Sequence, residues 1–386
     1  MLLLLLLAPC SSLLAQLTLS PQAKVSVLTM GPGEELYSSF GHTAIWIEDP
    51  ATGIDNVYNY GTFDFRTEGF YWKFIRGSLP YQLSVYPFRY TIAEAQTDNR
   101  WLTEQVLNLT PAQKQRLFEL LEINYRPENR QYFYKFFFDN CSTRPRDVIR
   151  SVVGDPFPWD QLPKLGGKSF RRWMNDNLDH QPWARLGMNL GIGLPSDEEA
   201  TREQAMYLPV NLMQGLEKAK IGDQPLVGET KKLHVAQPEE QGMTATTLQL
   251  ILMALGLPVL FWLSRRPDRL APFWFDKVLL GLTGSIGFVL LFLWFGTDHG
   301  VTANNLALLV YLPTHLLAAF LLTKKHHFGW LRWYTLTAAL LAVGTVFFLA
   351  RESRTYLLEL LLVVRLLQLH QFYVRQTTQP QSIHES

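Results

Sequence analysis

The residue with the clearest chemical potential is Cys141, in the stretch Phe138-Asp139-Asn140-Cys141-Ser142-Thr143-Arg144. The one other cysteine, Cys10, lies inside an N-terminal leucine block, so no disulfide framework links the rest of the chain. A thiol standing alone in an exported domain is either a nucleophile or an inert buried side chain. Asp139 or Asn140 is placed to cap a helix running on through Val148, Ile149 and Val152, which puts Cys141 in its first turn. There the unpaired N–H groups and the helix dipole favour the thiolate, and the same groups are able to hold an oxyanion in acyl transfer. Pro145 complicates this start, because a proline past the first turn removes a helical hydrogen bond.

A cysteine nucleophile needs a base, and the exported part of the chain offers His42, His180 and His234. His234 falls in a polar stretch, and His180, in Asn177-Leu178-Asp179-His180-Gln181-Pro182, reads as part of an exposed loop. His42 lies in Phe40-Gly41-His42-Thr43-Ala44-Ile45-Trp46-Ile47, a strand pattern whose alternation puts Phe40, His42, Ala44 and Trp46 on one face. A rigid strand opposite a helix-borne thiol suits catalysis. A strand histidine taken alone is more often structural, and spacing alone leaves both readings open.

Several elements must position these two residues. Strands are expected at Lys24 to Met30, Ser39 to Ile47, Asn56 to Gly61 and Tyr81 to Phe88, with a hairpin turn at Asp49-Pro50-Ala51-Thr52-Gly53. A helix is expected from Ala93 to Leu107. A second begins at Thr110-Pro111-Ala112-Gln113, a capping box with proline at the first helical position, and runs to about Tyr125. The pieces from Ala205 to Leu212 read as strand-like. Tyr71 to Leu83 mixes aromatic and basic residues, and reads as core packing with solvated charge or as a lipid-contacting surface.

The chain has 386 residues, 47% hydrophobic and 18% charged, with a net charge of +1, which gives no basis for a nucleic-acid partner. The charge is unevenly spread. The N-terminal leucine block reads as a secretion signal cleaved near Ala15, with Cys10 either removed with it or lipidated. Residues 16–218 read as a soluble catalytic domain, 219–244 as a polar linker, 245–375 as about five membrane helices and 376–386 as a tail. Spans are expected at Thr246 to Leu263, Val278 to Phe295, Leu306 to Leu322, Trp333 to Leu349 and Thr355 to Val374, the last carrying Glu359 and Arg365. The basic loops at Arg265-Arg266 and Lys324-Lys325 favour the cytoplasm, which leaves the Cys141 domain on the outer side of the membrane. No metal-ligand cluster or phosphate loop calls for a cofactor.

The two segments Ser39-Phe40-Gly41-His42-Thr43-Ala44-Ile45 and Phe137-Phe138-Asp139-Asn140-Cys141-Ser142-Thr143-Arg144, in that order, resemble the Lnb-type bacterial lipoprotein N-acyltransferases. More distantly they resemble permuted papain-like proteins of the NlpC type. Asn59-Tyr60-Gly61-Thr62-Phe63-Asp64-Phe65, Gly193-Leu194-Pro195-Ser196-Asp197 and Tyr207-Leu208-Pro209 carry the same resemblance, as do His299, Asn304-Asn305 and Pro313 in the membrane part. It implies an α+β, permuted papain-like periplasmic domain followed by an α-helical transmembrane bundle. It implies Cys141 as nucleophile and His42 as base, with Asn59 or Tyr60 orienting the histidine and Asn140, Ser142 and Arg144 meeting substrate. Asp197 is a further catalytic candidate by position, and His299 and Asn304 are substrate candidates; a turn, cap or loop role is open for each. The implied reaction moves an acyl chain from a membrane phospholipid through a Cys141 thioester to the α-amino group of a diacylated lipoprotein, with no metal or other cofactor. A membrane-anchored cysteine hydrolase, either a peptidase or a phospholipase, is the alternative.

Overall fold

The computed structural model describes residues 17–238, 243–264, 273–322, 329–349 and 356–378. The expected signal segment with Cys10, both basic loops and the end of the tail lie outside these residues. β-branched and aromatic residues at alternating positions build a seven-stranded antiparallel sheet in the order β6-β4-β3-β2-β1-β5-β9. Its strands are β1 (Lys24–Met30), β2 (His42–Asp49), β3 (Ile54–Thr62), β4 (Pro80–Tyr86), β5 (Leu102–Leu107), β6 (Gln131–Phe133) and β9 (Val227–His234), and a small hairpin of β7 (Lys220–Ile221) and β8 (Gln224–Pro225) stands apart. Helices α1 (Phe70–Arg76), α2 (Phe88–Thr97), α3 (Pro111–Tyr125) and α4 (Thr143–Val153) are interleaved with the strands. α5 (Phe170–Asn177), α6 (Pro182–Gly191), α7 (Arg202–Ala205) and α8 (Pro209–Lys218) follow. The main core lies between the sheet and α3, α4, α5 and α8, around Ile45, Tyr58, Leu117 and Ile149. A smaller core beneath α2, around Ala44, Trp46 and Leu102, covers the sheet's other face.

The four expected strands are present, and Thr110 caps α3 through the full capping box with Gln113. The structure corrects three other expectations. The helix expected from Ala93 to Leu107 is α2 followed by β5. Asn99, at φ 48°, turns the chain between them, and the polar Glu104 and Gln105 that mimic a helix surface are buried in the sheet. Ser26 Oγ donates to Glu104 Oε1 at 2.7 Å, and Lys24 pairs with it at 3.1 Å. The strand-like stretch from Ala205 to Leu212 is helical, because Thr201 and Gln204 close a capping box and Pro209 starts α8. The polar linker contains β9, whose charged residues suit an exposed edge strand.

The helical region that follows comprises α9 (Ala245–Ser264), α10 (Phe273–Phe295), α11 (Thr314–Leu321), α12 (Gly329–Leu349) and α13 (Tyr356–Thr378). Among the described residues, two stretches are long and apolar enough to cross a membrane, Trp274–Phe295 and Leu357–Arg375. The third expected span is broken. Leu306–Leu309 is a 3-10 turn capped by Asn305, and α11 starts only after Pro313, which has no N–H to continue a helix. α10 covers the break at Gly287, where a Cβ would lie 2.0 Å from the Tyr311 carbonyl oxygen. Such irregular backbone is tolerable at membrane depth only when protein encloses it. Arg365 in α13 forms a two-pronged ion pair with Asp276 of α10, Nε to Oδ1 at 2.9 Å and Nη2 to Oδ2 at 3.0 Å, both side chains buried.

The loop from 296 to 305 grips the sheet domain on two sides. The Asp298 N–H donates to Arg76 O at 2.8 Å and His299 Nε2 meets Ile75 O at 2.9 Å. On the other side, the Gly193 N–H donates to Val301 O at 2.7 Å and Asn305 Nδ2 to Leu190 O at 2.7 Å. A Cβ on Gly193 would lie 1.9 Å from Ala303 O, so a larger residue would push the two apart. Buried Arg171 fixes this second side, bonding Asp197 Oδ1 at 2.6 Å and the carbonyls of Asn189 and Ile192.

Asp276→Asn leaves the Arg365 guanidinium buried without its counter-charge and should cost about 3–5 kcal/mol of stability. Replacing both residues with leucine should recover most of that loss. Thermal unfolding of the detergent-solubilised chain measures both, and equal losses in the single and double variants would show that the charges are not coupled.

Candidate active site

His42 and Cys141 meet at the end of the sheet where β2 begins. The local sequence explains why Cys141 arrives there with a fixed orientation. Lys135 and Asp139 exchange main-chain hydrogen bonds, closing a tight loop before the cysteine. Asn140 then uses its whole amide internally: Nδ2 donates to Phe136 O at 2.8 Å and Tyr207 O at 2.9 Å, and Oδ1 accepts from the Ser142 and Thr143 N–H groups at 2.8 and 3.0 Å. Ser142 is the N-cap of α4, so Cys141 stands one residue before the N-cap instead of in the first turn of the helix. The capping oxygen is that of Asn140. Pro145 is the third helical residue, where its missing N–H is one the helix leaves unbonded in any case; the Arg144 N–H bonds Asn140 O at 3.2 Å before it, and the ladder continues after it from the Arg146 N–H to Ser142 O bond at 3.1 Å. The amides of Ser142 and Thr143 are occupied by Asn140, so they are not an oxyanion site. Ser142 Oγ bonds Thr43 Oγ1 at 3.0 Å and thereby pins α4 to β2 beside the histidine.

On the other side of the site, His42 Nε2 lies 2.9 Å from Asn59 Oδ1. That oxygen also accepts the Gly61 N–H at 2.7 Å, while Asn59 Nδ2 donates to the Tyr86 hydroxyl at 2.9 Å. An amide oxygen only accepts, so Nε2 carries the proton and Nδ1 is the nitrogen left for the thiol. The register of β3 against β4 shifts between Asn59 and Thr62, an irregularity that aims Asn59 at the histidine. Gly61 is required here because a Cβ would come within 2.6 Å of His42 Cε1.

The electrostatics follow from this geometry. Burial acts to lower the His42 pKa and to raise that of Cys141, which is only 6% exposed. Their mutual electrostatic attraction overrides burial in both, so the imidazole is raised above its ordinary value and the thiol lowered below its own. The Thr43 N–H and the Tyr134 hydroxyl, 4.0 Å from Sγ, add to the lowering. Burial and the neighbouring sulfur hold Tyr134 well above the ordinary tyrosine range, so it stays a neutral donor.

Of the other expected residues, Tyr60 faces away, accepting from Asn124 Nδ2 at 2.8 Å and from the Tyr132 hydroxyl at its carbonyl. Asn140 and Ser142 are sealed inside the fold and build the site instead of meeting substrate. Arg144 is engaged by Asp139 at 2.6 and 2.8 Å and lies 3.6 Å over the Tyr132 ring. Asp197 is bound to Arg171, and His299 and Asn304 belong to the loop gripping the sheet domain. Tyr134 was hidden in the aromatic run Tyr132 to Phe138, and nothing in its type or spacing set it apart. Among the described residues, no cluster of His, Cys, Asp and Glu suits a metal ion.

Residues 14–165 match the Lnb N-terminal periplasmic domain, and residues 237–377 match the Lnb transmembrane domain. The chain belongs to the Lnb family. Neither a curated protein nor a solved structure matches it. Lnb membership makes it a membrane protein with a periplasmic N-terminal domain and a lipoprotein-processing membrane enzyme. The α+β domain and the helical membrane region described above correspond to these two parts of the family.

His42→Ala removes the largest influence lowering the Cys141 pKa and leaves burial, which raises it. The pH midpoint for alkylation of Cys141 by iodoacetamide should therefore move upward, past the ordinary thiol range. Gly61→Ala, which displaces the imidazole, should shift it in the same direction by less. An unchanged midpoint in both variants would mean that the two side chains do not interact.

Proposed function

We propose that the chain is a lipoprotein N-acyltransferase in which Cys141 is the nucleophile, His42 the base and Asn59 the group that orients it. The observation carrying this reading is the run of contacts from Asn59 through His42 to Cys141 in a domain gripped by its own membrane region. Nδ1 of His42 takes the thiol proton, and Sγ attacks the ester carbonyl of a membrane phospholipid. An S–C bond forms, the ester C–O bond breaks, and the imidazolium returns its proton to the departing glycerol oxygen. The products are an acyl thioester and a lysophospholipid. The free α-amino group of a diacylated lipoprotein then attacks the thioester. Its N–C bond forms as the C–S bond breaks, and the surplus amine proton passes to His42.

Each tetrahedral intermediate carries an oxyanion close to Sγ, within reach of a donor 4.0 Å from the sulfur, and Tyr134 supplies that donor. Both substrates are confined to the bilayer, so holding the sulfur at its surface replaces three-dimensional diffusion with proximity. The same chemistry with water as acceptor would make the chain a hydrolase. In this reading the catalytic domain, residues 16–218, works at the periplasmic face of a bacterial inner membrane, anchored there by residues 245–375.

Mass measurement of a lipoprotein N-terminus in cells that depend on this chain tests substrate and reaction together. The wild type should add one acyl group and Cys141→Ala none. Asn59→Ala and Tyr134→Phe should each slow thioester formation by about tenfold to a hundredfold. A lipoprotein that stays diacylated with the wild type, while lysophospholipid and free fatty acid accumulate, would establish hydrolysis instead.

A further inference from the structure

The aromatic segment between Gly61 and Tyr81 takes no part in the chemistry above, yet it connects the membrane region to the sulfur. α1 contains no buried residue and leaves Tyr71 78%, Trp72 56% and Phe74 55% exposed. A seven-residue helix showing that much apolar surface has little to hold it in water. Its location supplies the missing partner. The Trp72 ring lies 5.4 Å from Phe292, one turn before α10 ends at Phe295. Arg76 O accepts the Asp298 N–H just beyond that end. The end of a membrane-crossing α10 is where hydrocarbon would meet headgroups, the depth at which Trp and Tyr concentrate and from which Lys73 and Arg76 could reach phosphate.

From α1 a run of rings leads inward. Phe70 lies 6.0 Å from Phe63, Phe63 lies 5.1 Å from Tyr81, and Tyr81 stacks on Tyr134 at 4.4 Å. The Tyr134 hydroxyl is the one that approaches Cys141 Sγ. Phe63, Phe70, Tyr81 and Tyr134 are all half-buried, so the run keeps an accessible side along its length. We propose that α1 is embedded in the periplasmic leaflet and that these rings form the binding track for a fatty acyl chain of a membrane glycerolipid. Apolar contact with the rings draws the chain out of the leaflet and sets its ester carbonyl at Cys141. What happens at the sulfur rests on the acyl-transfer reading above; the membrane contact does not.

The membrane contact is tested with the full chain carrying Cys141→Ala and a photoreactive p-benzoylphenylalanine at Tyr71 or at Phe63, in vesicles of phosphatidylethanolamine and phosphatidylglycerol. Irradiation should increase the protein mass by one phospholipid at both positions. Absence of adducts at both, in protein whose periplasmic domain still resists protease, would overturn the proposal. Delivery is tested in the Cys141-containing chain. Trp72→Ala with Phe74→Ala should lower, by about tenfold, the ratio of Cys141 acylation by vesicle phospholipid to acylation by a soluble short-chain ester, and an unchanged ratio would overturn the track. If the soluble ester fails to acylate wild-type Cys141, the nucleophile reading fails, and the photo-adducts still decide the lipid contact.

Discussion

A thiolate buried this deeply would be tenable only beside a compensating positive charge, and that requirement ties β2 to α4. Burial opposes the charged form of both His42 and Cys141, so either group alone would be driven neutral. Together they reverse the effect, provided that the ring and the sulfur keep their separation. The surrounding residues serve that condition. Asn140 fixes the chain before α4, Ser142 bonds Thr43 across the junction, and Asn59 holds the far side of the imidazole. A polar side chain that uses all its hydrogen-bonding capacity inside the fold has little freedom to drift, and Asn140 is the clearest example.

The second constraint is placement relative to the bilayer. The sheet domain is joined to the helical region by the chain itself and by the loop from 296 to 305, which is bonded to α1 on one side and to the segment around Gly193 on the other. Two separated attachments oppose rotation as well as separation. Arg171 stiffens one of them from within the sheet domain, and the Asp276 to Arg365 pair joins α10, which leads into the loop, to the last helix. The position of Cys141 relative to the helical region is therefore set by hydrogen bonds far from the sulfur.

Much of this was legible in the sequence where chemistry is local. The Asn-Cys segment, the His42 strand and the capping box at Thr110 depend on neighbours within a few residues, whereas the family resemblance offered Asn59 and Tyr60 alike, and only the strand pairing that brings Asn59 to His42 separates them. What the sequence hid depends on distant ones. Leu102 to Leu107 looks helical because Glu104 and Gln105 are polar, and only Lys24 and Ser26 across the sheet make their burial acceptable. Glu359 and Arg365 invite pairing by proximity in the chain, but the partner of Arg365 is Asp276 on another helix. Tyr134 is one ring among many until the fold brings its hydroxyl to the sulfur.

β9 changes what counts as the end of the sheet domain. Its sequence, with Glu229, Lys231 and Lys232 in a row of exposed positions, looks like a disposable tether between two modules. Yet it completes the sheet along β5, the neighbour of β1, which in turn carries the His42 strand. A truncation made at the start of that polar stretch would strip one edge from the sheet and expose the unpaired ladder of β5. A water-soluble version of the domain accordingly has to extend through His234, within a short reach of the first helix of the membrane region at Ala245.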